Sequence, residues 1–182
     1  RFFNFGIAEQ KMFGVAAGLA QAGLIPFVST FAAFASMRAC EFVRTDICYQ
    51  NLNVKVFATH GGISFGSAGT THHATEDYAI VRAFPHLTVI VPADAIETAQ
   101  AVKKCMEIEG PVYIRIGRGF EPAVYTSEEY DFEVGKAIEM RPGTDLTIIA
   151  TGATVYHAVQ AADILKAESG ISARVLNMHT LK

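Results

Sequence analysis

The alternation of short apolar runs with helical stretches constrains the fold more than any other feature of this sequence. Residues 54–59 form an apolar run without polar alternation except at Lys55, which is typical of a strand covered on both faces in a parallel sheet. Residues 31–49 carry apolar side chains at helical spacing and predict a largely buried helix. Because this alternation recurs along the chain, it predicts an α/β fold, namely a three-layer, doubly wound parallel sheet.

Two blocks of this pattern flank a stretch of different composition. The predicted strands are 2–5, 25–29, 54–59, 88–91, 112–116, 145–151 and 172–177, and the predicted helices are 8–22, 31–49, 76–84, 95–107 and 155–168. These elements predict a first domain over 1–120, a linker or crossing hairpin over 121–142, and the start of a second α/β domain over 143–182. Both ends look cut. We therefore expect a fragment or one subunit of a split protein, with the N-terminal part of the first domain missing.

Bulk composition narrows the class of protein. The 182 residues are 51% hydrophobic, with a net charge of −3 and no long run of either sign, so nothing favours a surface for nucleic acid or for a membrane. No apolar run reaches the length of a membrane span. The scattered cysteines, Cys40, Cys48 and Cys105, predict buried thiols in a reducing compartment, the cytoplasm, and not a disulfide framework or a metal site.

Four loops follow predicted strands at the edge where ligands of doubly wound sheets bind: 6–9, 29–31, 60–73 and 117–119. The 60–73 loop holds four glycines and three histidines, which suits close approach of backbone to a ligand and proton exchange near neutral pH. The alternative is a turn-rich surface loop, but its length between core elements favours function. No acidic or cysteine ligand stands at helical spacing from these histidines, so a metal site is disfavoured.

Glu9 lies at the mouth of the first predicted helix. Its carboxylate either complements the helix dipole in the first turn or is buried, in which case its pKa rises. Taken alone, the helix-dipole interpretation is favoured.

Four further side chains have open interpretations. Phe31, Phe34 and Met37 line one side of the second predicted helix and form either core or a stacking wall for a flat heteroaromatic ring, and spacing alone favours core. Arg118 stands between two glycines after a strand. It is either an exposed turn arginine or a ligand for a phosphate or carboxylate.

Taken together, six motifs in order resemble the pyrimidine-binding domain of transketolases. They are Gly6-Ile7-Ala8-Glu9-Gln10, Ser29-Thr30-Phe31-Ala32-Ala33-Phe34, Ala58-Thr59-His60, Gly69-Thr70-Thr71-His72, Pro92-Ala93-Asp94 and Arg115-Ile116-Gly117-Arg118. The resemblance runs from residue 1 to about 119, and the part after 143 is similar to the start of the family's C-terminal domain. The chain looks most like the C-terminal subunit of a split, two-chain transketolase.

This resemblance implies thiamine diphosphate as cofactor. It places Glu9 as the catalytic glutamate that hydrogen-bonds a nitrogen of the aminopyrimidine ring, a role that needs a protonated carboxyl and hence a raised pKa. It implies that Phe31 and Phe34 pack around that ring, with Met37 where the family often has a tyrosine. Met can pack there but cannot donate a hydroxyl hydrogen bond.

The same resemblance implies roles on the substrate side. His60 and His72 match catalytic histidines that orient sugar hydroxyls and shuttle protons, and Arg118 matches an arginine that holds the sugar phosphate. One position departs from the family: Ala68 stands where an acidic residue usually reads a sugar hydroxyl. We therefore expect a modified ketose, or an acceptor that lacks that hydroxyl.

The other half of the implied site is absent from the sequence. The family holds the diphosphate and its Mg²⁺ with a Gly-Asp-Gly segment followed by an asparagine, and no Gly-Asp-Gly occurs here. We therefore expect no metal on this chain. A partner chain or domain is expected to hold the diphosphate with Mg²⁺ or Ca²⁺, in a hetero-oligomer or a homodimer.

The leading hypothesis is transfer of a two-carbon ketol unit from a ketose phosphate to an aldose phosphate. One alternative is a 1-deoxyxylulose-5-phosphate synthase, which shares the Gly6–Gln10 motif but tends not to place a histidine at the position of His60. Another is the β subunit of a 2-oxoacid dehydrogenase, whose glutamate motif and aromatic pair look different. An alternative of another class is a non-catalytic scaffold or regulatory subunit that keeps the fold.

Overall fold

The structure is a computed structural model that describes residues 1–127 and 130–182; Glu128 and Glu129, inside the predicted linker, lie outside the described residues. The strands are β1 (Phe27–Phe31), β2 (Lys55–Thr59), β3 (Thr88–Ile90), β4 (Val112–Arg115), β5 (Ile138–Arg141), β6 (Leu146–Ala150) and β7 (Ala173–Asn177). The α-helices are α1 (Glu9–Gln21), α2 (Asp77–Arg82), α3 (Ala95–Cys105) and α4 (Thr154–Ser169).

The first four strands form one parallel sheet in the order β1-β2-β4-β3. Its register pairs Phe31 with Thr59 and Ala58 with Arg115. The carboxyl ends of β1, β2 and β4 are therefore level, and the loops that follow them start side by side.

Both faces of this sheet are covered, which confirms the predicted three-layer architecture. On one face Val56 and Tyr113 pack in a cluster with Phe13 of α1 and Val43 of the second predicted helix. On the other face Val112 and Ile114 pack with Ala101 and Cys105 of α3. Alternate residues of β4 thus point to opposite layers, as a strand without polar alternation requires.

Two predicted elements differ in the structure. The predicted strand at 2–5 is wrong: no strand forms there, because these residues pair with no strand in the described part of the chain, and the Phe2 side chain is 88% exposed. The predicted helix at 31–49 is wound more widely, with π-helical segments Phe34–Arg38 and Phe42–Cys48. π-Helical turns often occur at functional sites, and the first of these reaches the candidate site.

The second sheet has the order β5-β7-β6, with β6 parallel and β5 antiparallel to β7. Helix α4 packs on it through Val155 and Val159, which share a core cluster with Val175. Strand β5 lies inside 121–142, so the segment predicted as a linker contributes an edge strand to this sheet.

The end of the chain ties this second unit to the first. Residues 178–182 run along β3, where Val91 N–H donates to His179 O at 2.7 Å and Leu181 N–H donates to Val89 O at 2.9 Å. Asn177 Nδ2 also donates to both oxygens of the buried Glu97 carboxylate on α3, at 2.9 Å each. The two sheets are thus joined by backbone and buried side-chain hydrogen bonds.

Two further predictions from the sequence concern the burial of the cysteines and the absence of a membrane span. Cys48 and Cys105 are buried as predicted, whereas Cys40 is only partly buried. In the part of the chain that the structure describes, no helix is long and apolar enough to cross a membrane.

Candidate functional site

The candidate site forms where the carboxyl ends of β1, β2 and β4 meet. Phe31 is the last residue of β1, and His60 follows the last residue of β2. His60 N–H donates to Gly117 O and Gly61 N–H donates to Ile116 O, both at 3.0 Å. These bonds hold the 60–73 loop against the segment after β4.

Five rings pack together at this edge, and we call them the aromatic cluster: Phe31, Phe34, His60, Phe65 and His72. The rings of Phe31 and Phe34 are stacked at 5.6 Å between centroids, and the His60 ring lies 4.1 Å from Phe31. The His72 ring meets the edge of Phe34 at 5.3 Å, and Phe65 meets His60 at 4.8 Å. Residues from two segments, 31–34 and 60–72, therefore share one surface, and four of the five were predicted from the sequence.

Glu9 opens α1 beside this cluster and is 7% exposed. Its Oε2 accepts a hydrogen bond from Arg38 Nη1 at 3.0 Å, and its Oε1 accepts one from Thr30 Oγ1 at 3.4 Å. Burial acts to raise the pKa of Glu9, but hydrogen bonds from its own backbone, Arg38 and Thr30, with the Arg38 charge, outweigh burial and lower that pKa. The expectation of a raised pKa is therefore wrong for this structure, because an arginine distant in sequence pairs with the carboxylate.

Arg38 also contacts the aromatic cluster. Its Cζ lies 4.2 Å from the centre of the Phe34 ring, a cation–π arrangement. Arg38 ends the π-helical segment that begins at Phe34. Arg38 was not predicted as a site residue, and its only signal in the sequence is its spacing of four residues from Phe34.

The two histidines are held differently. His60 adopts a left-handed backbone, with φ of 58°, and its Nδ1 lies 2.9 Å from Thr59 Oγ1. Burial and then the charge of Arg118 lower the pKa of His60, while Glu121 opposes them. His60 is therefore neutral at pH 7 and has one ring nitrogen able to accept a proton. His72 ends a short 3₁₀ turn, Thr70–His72, and its Nδ1 lies 2.9 Å from Thr71 Oγ1.

Arg118 joins the cluster from the segment after β4. Its Cζ lies 5.1 Å from the Phe65 ring centre and 5.7 Å from that of Phe120. The backbone N–H groups of Arg118 and Gly119 donate to the two carboxylate oxygens of Glu121, at 2.9 and 3.0 Å. The turn at 118–119 therefore already binds one anionic group, the carboxylate of Glu121. Glu121 was not predicted as a site residue.

Two predicted positions lie apart from the rings. Met37 is 43% exposed, and within the described part of the chain it stands outside the core cluster on which Phe34 packs. Ala68 ends the 3₁₀ turn Gly66–Ala68 on the same loop as His72. The cofactor role of Met37 stays a prediction.

A buried ion pair supports the loop from below. Arg115 Nε donates to Asp77 Oδ2 at 2.9 Å, and their side chains are 15% and 1% exposed. Arg115 also donates to Ala74 O at 3.2 Å and lies 4.3 Å from the Tyr78 ring centre. Arg115 was named from the sequence only as part of a motif and Asp77 was not predicted, because the sequence does not show that the two residues are partners.

The larger of two cavities lies away from the predicted site residues, and the smaller one adjoins them. A cavity of about 740 Å³ lies between the N-terminal segment and β1, lined by apolar side chains such as Phe3, Leu19 and Phe27, and no predicted site residue lines it. A cavity of about 280 Å³ adjoins the site beside Gly61, Gly117 and Glu121. Among residues 1–127 and 130–182, no group of three or more His, Cys, Asp or Glu side chains is arranged to hold a metal ion. The larger cavity is therefore not the candidate functional site.

Comparison with known proteins identifies the family to which the chain is similar. Residues 1–120 match the family model of the transketolase pyrimidine-binding domain, and residues 135–182 match that of the transketolase C-terminal domain. The chain is 49% identical to a putative transketolase C-terminal section of Methanocaldococcus jannaschii and 44% identical to one subunit of an apulose-4-phosphate transketolase of Phocaeicola vulgatus. In each comparison the whole chain is aligned and spans 58% of the relative's length.

A solved structure is similar over the whole chain. It is described as a split gene transketolase, inactive beta4 tetramer, and it matches with a TM-score of 0.90 and 51% identity over 58% of its length. Its likeness extends from the pyrimidine-binding part into the second sheet. With two family models matching most of its residues, the chain belongs to the transketolase family, as a C-terminal subunit or section that carries the pyrimidine-binding domain.

Proposed function

We propose that this chain supplies the pyrimidine half of a thiamine diphosphate site in a split transketolase. The assembled enzyme transfers a two-carbon ketol unit from a ketose phosphate to an aldose phosphate. The observation that carries this proposal is the meeting of the Glu9 carboxylate, the stacked Phe31 and Phe34 rings, and the imidazoles of His60 and His72 at one sheet edge.

The residues present fit the flat-ring end of this cofactor. The rings of Phe31 and Phe34 offer faces for stacking. The nearly buried carboxyl of Glu9 is held near them by hydrogen bonds from Arg38 and Thr30. When bound, thiamine diphosphate supplies an acidic carbon whose conjugate base attacks the substrate carbonyl. The protonated carboxyl of Glu9 would hold the ring nitrogen by donating an O–H hydrogen bond to it, and this requires the carboxyl to be neutral in the loaded enzyme.

The histidines and Arg118 act on the substrate. His60, neutral at pH 7 because burial lowers its pKa, accepts a proton from a substrate hydroxyl and returns it as the carbonyl forms. His72 meets the edges of Phe31 and Phe34 and orients a second hydroxyl. The Arg118 guanidinium, above Phe65, offers planar donors to a phosphate.

A second polypeptide completes the site in this proposal. The sequence contains no Gly-Asp-Gly segment, so the partner is assigned the diphosphate and its Mg²⁺ or Ca²⁺. Three observations on relatives support a partner. One relative is named as a C-terminal section, another is named as a subunit, and the similar solved tetramer is described as inactive.

The proposed substrate class follows from Ala68, a site position at which this sequence departs from the family pattern. Ala68 stands where the family usually has an acidic side chain, so no carboxylate is available there for a sugar hydroxyl. We infer a modified ketose, or an acceptor without that hydroxyl. The relative named for apulose 4-phosphate is compatible with such a class.

Exchange of the cofactor's acidic proton for deuterium tests the role of Glu9 without knowledge of the substrate. The chain is assembled with a partner polypeptide that carries a Gly-Asp-Gly segment, and thiamine diphosphate and Mg²⁺ are added. The Glu9→Gln variant is expected to slow exchange at least ~100-fold. The control is Glu107→Gln, at an exposed carboxylate paired with Lys104, which leaves exchange unchanged. Equal exchange rates in wild type and Glu9→Gln would overturn the cofactor assignment.

Product analysis tests the reaction. Two-carbon transfer to aldose acceptors is expected with the assembled enzyme. Pyruvate decarboxylation in its place would assign the chain to a synthase or dehydrogenase type of thiamine enzyme. No exchange and no turnover in the wild-type complex would favour a non-catalytic role.

A further inference from the structure

Arg38 makes two contacts at the centre of the candidate site. Its Nη1 donates to Glu9 Oε2 at 3.0 Å, and its guanidinium carbon lies 4.2 Å from the centre of the Phe34 ring. The Arg38 side chain is 43% exposed, whereas that of Glu9 is 8% exposed. The guanidinium is therefore held by contacts within the site, although the Arg38 side chain as a whole is partly exposed to solvent.

These are the same kinds of contact that the proposed function assigns to a bound aminopyrimidine. A guanidinium is planar, presents N–H donors in that plane and stacks on aromatic faces. A flat heteroaromatic ring at this position also needs a hydrogen bond to Glu9 and an aromatic wall that includes Phe34. Arg38 therefore occupies, with similar chemistry, positions that the ring requires.

The two occupants cannot share Glu9 Oε2. With Arg38 bound, Glu9 is an ionised carboxylate, which only accepts hydrogen bonds. A ring nitrogen with a lone pair is also an acceptor, so it cannot bond to that carboxylate until the carboxyl gains a proton. Loss of Arg38 removes its hydrogen bond and its charge from Glu9, so that burial is opposed only by the hydrogen bonds from the backbone and from Thr30, and the balance moves toward the neutral form.

We infer that Arg38 is a placeholder in the unliganded chain: it holds Glu9 and covers Phe34 until the cofactor ring displaces it. This inference rests on the proposed function. Arg38 acts as a positioning residue that keeps the buried carboxylate paired before loading. Because the Arg38 side chain is partly exposed, its guanidinium can move into solvent, and its release favours protonation of Glu9. Thr30 Oγ1, 3.4 Å from Oε1, stays as the neutral partner of the carboxyl.

The affinity of the assembled enzyme for thiamine diphosphate tests this inference by calorimetric titration with Mg²⁺ present. A partly exposed ion pair contributes up to about 1 kcal/mol, so its removal before binding corresponds to about fivefold tighter binding. Arg38→Met keeps the apolar stem and is expected to bind the cofactor about fivefold more tightly. Arg38→Lys keeps the charge and is expected to stay close to wild type. Arg141→Met removes an arginine that is exposed to the same extent and is paired with the exposed Asp163, away from the site, and serves as the control.

Infrared spectroscopy gives a second readout that needs no bound cofactor. The carbonyl stretch of protonated Glu9, assigned by its loss in Glu9→Gln, is expected to appear at higher pH in Arg38→Met than in wild type. Weaker or unchanged cofactor binding in Arg38→Met, or an unshifted stretch, would overturn the placeholder. If Glu9→Gln leaves deuterium exchange intact, the proposed function fails. If it abolishes exchange while Arg38→Met changes neither readout, only this inference fails.

Discussion

Asp77 and Arg115 form a buried ion pair that joins the start of α2 to the end of β4. Arg115 Nε donates to Asp77 Oδ2 at 2.9 Å across 38 positions of sequence. The same guanidinium donates to Ala74 O at 3.2 Å, and Ala74 pairs with Gly62 in an antiparallel bridge. The pair therefore closes the base of the 62–74 loop, which carries Phe65 and His72 into the aromatic cluster.

Asp77→Asn is expected to unfold more easily and to lose activity. Burial raises the pKa of Asp77 even beside Arg115, and removing one charge of a buried pair leaves the other uncompensated, at a loss of about 3 kcal/mol. A shift of the His72 loop is expected to lower kcat/KM of the assembled enzyme at least ~10-fold. Urea denaturation and steady-state kinetics measure the two effects.

The exposed pair of Arg141 and Asp163 offers the matched control. Asp163→Asn removes a carboxylate that accepts from Arg141 Nε at 3.0 Å and is expected to change the free energy of unfolding by less than about 1 kcal/mol, with no change in kcat/KM. Full activity and wild-type stability in Asp77→Asn would contradict the role of the buried pair.

Gly61→Ala tests the same contact without altering any charge. A Cβ on Gly61 would stand 2.1 Å from Arg115 Nε and 2.3 Å from its Cζ, so the guanidinium must leave Asp77. We expect a loss of about 2–3 kcal/mol in the free energy of unfolding, in the range of overpacked cores, with lower kcat/KM. Gly18→Ala is the control, since nothing lies within 4 Å of its Cβ position in α1. It is expected to stabilise by about 0.5–1 kcal/mol. Equal behaviour of the two variants would rule out the tight packing at Gly61.

These contacts show what the sequence could and could not predict. Apolar patterning predicted the burial of β2 and the helices, because periodicity reports on layers and needs no knowledge of partners. The ionisation state of Glu9 could not be predicted from the sequence, because it depends on a hydrogen bond from Arg38, 29 positions away. The loop motifs predicted His60 and His72, whereas Phe65 joins them only through the path of a loop with two 3₁₀ turns. Strand 2–5 was mispredicted since an apolar run also needs a neighbouring strand.

His179 is expected to make stability fall in acid. Its side chain is buried and stacked on Phe132 at 4.4 Å, and burial lowers its pKa to about 4, partly offset by a backbone hydrogen bond with Lys136. The unfolded chain binds this proton near pH 6.5 and the folded chain only near pH 4. The contribution of neutral His179 is therefore complete above about pH 6.5 and is lost as pH falls from there to about 4, on the order of 3 kcal/mol in all.

Urea midpoints at about pH 7.5, 6 and 5 measure this loss. His179→Phe keeps the stacking on Phe132 and is expected to show a smaller decrease between the first and last pH than wild type. His86→Phe is the control, since His86 is exposed, and it is expected to retain the wild-type decrease. An identical pH dependence in wild type and His179→Phe would contradict the lowered pKa.

Glu121→Gln is expected to strengthen phosphate binding at Arg118. The Glu121 carboxylate occupies the backbone N–H groups of Arg118 and Gly119 at 2.9 and 3.0 Å, and an anion there repels a substrate phosphate drawn to the neighbouring guanidinium. The amide of Gln keeps an acceptor oxygen but removes the charge. We expect KM for a phosphorylated acceptor to fall about threefold to tenfold, in line with a charge effect of about 1 kcal/mol near a protein surface.

Two comparisons isolate that effect. Glycolaldehyde, an acceptor without phosphate, should keep its KM in Glu121→Gln, and inorganic phosphate should become a stronger competitive inhibitor. Glu133→Gln removes an exposed carboxylate paired with Lys136 and should match wild type in both assays. Because Glu121 also acts to raise the pKa of His60, the acidic limb of the kcat/KM profile should move to lower pH in Glu121→Gln. A KM for the phosphorylated acceptor that stays constant or rises would show that Glu121 does not compete with the substrate phosphate.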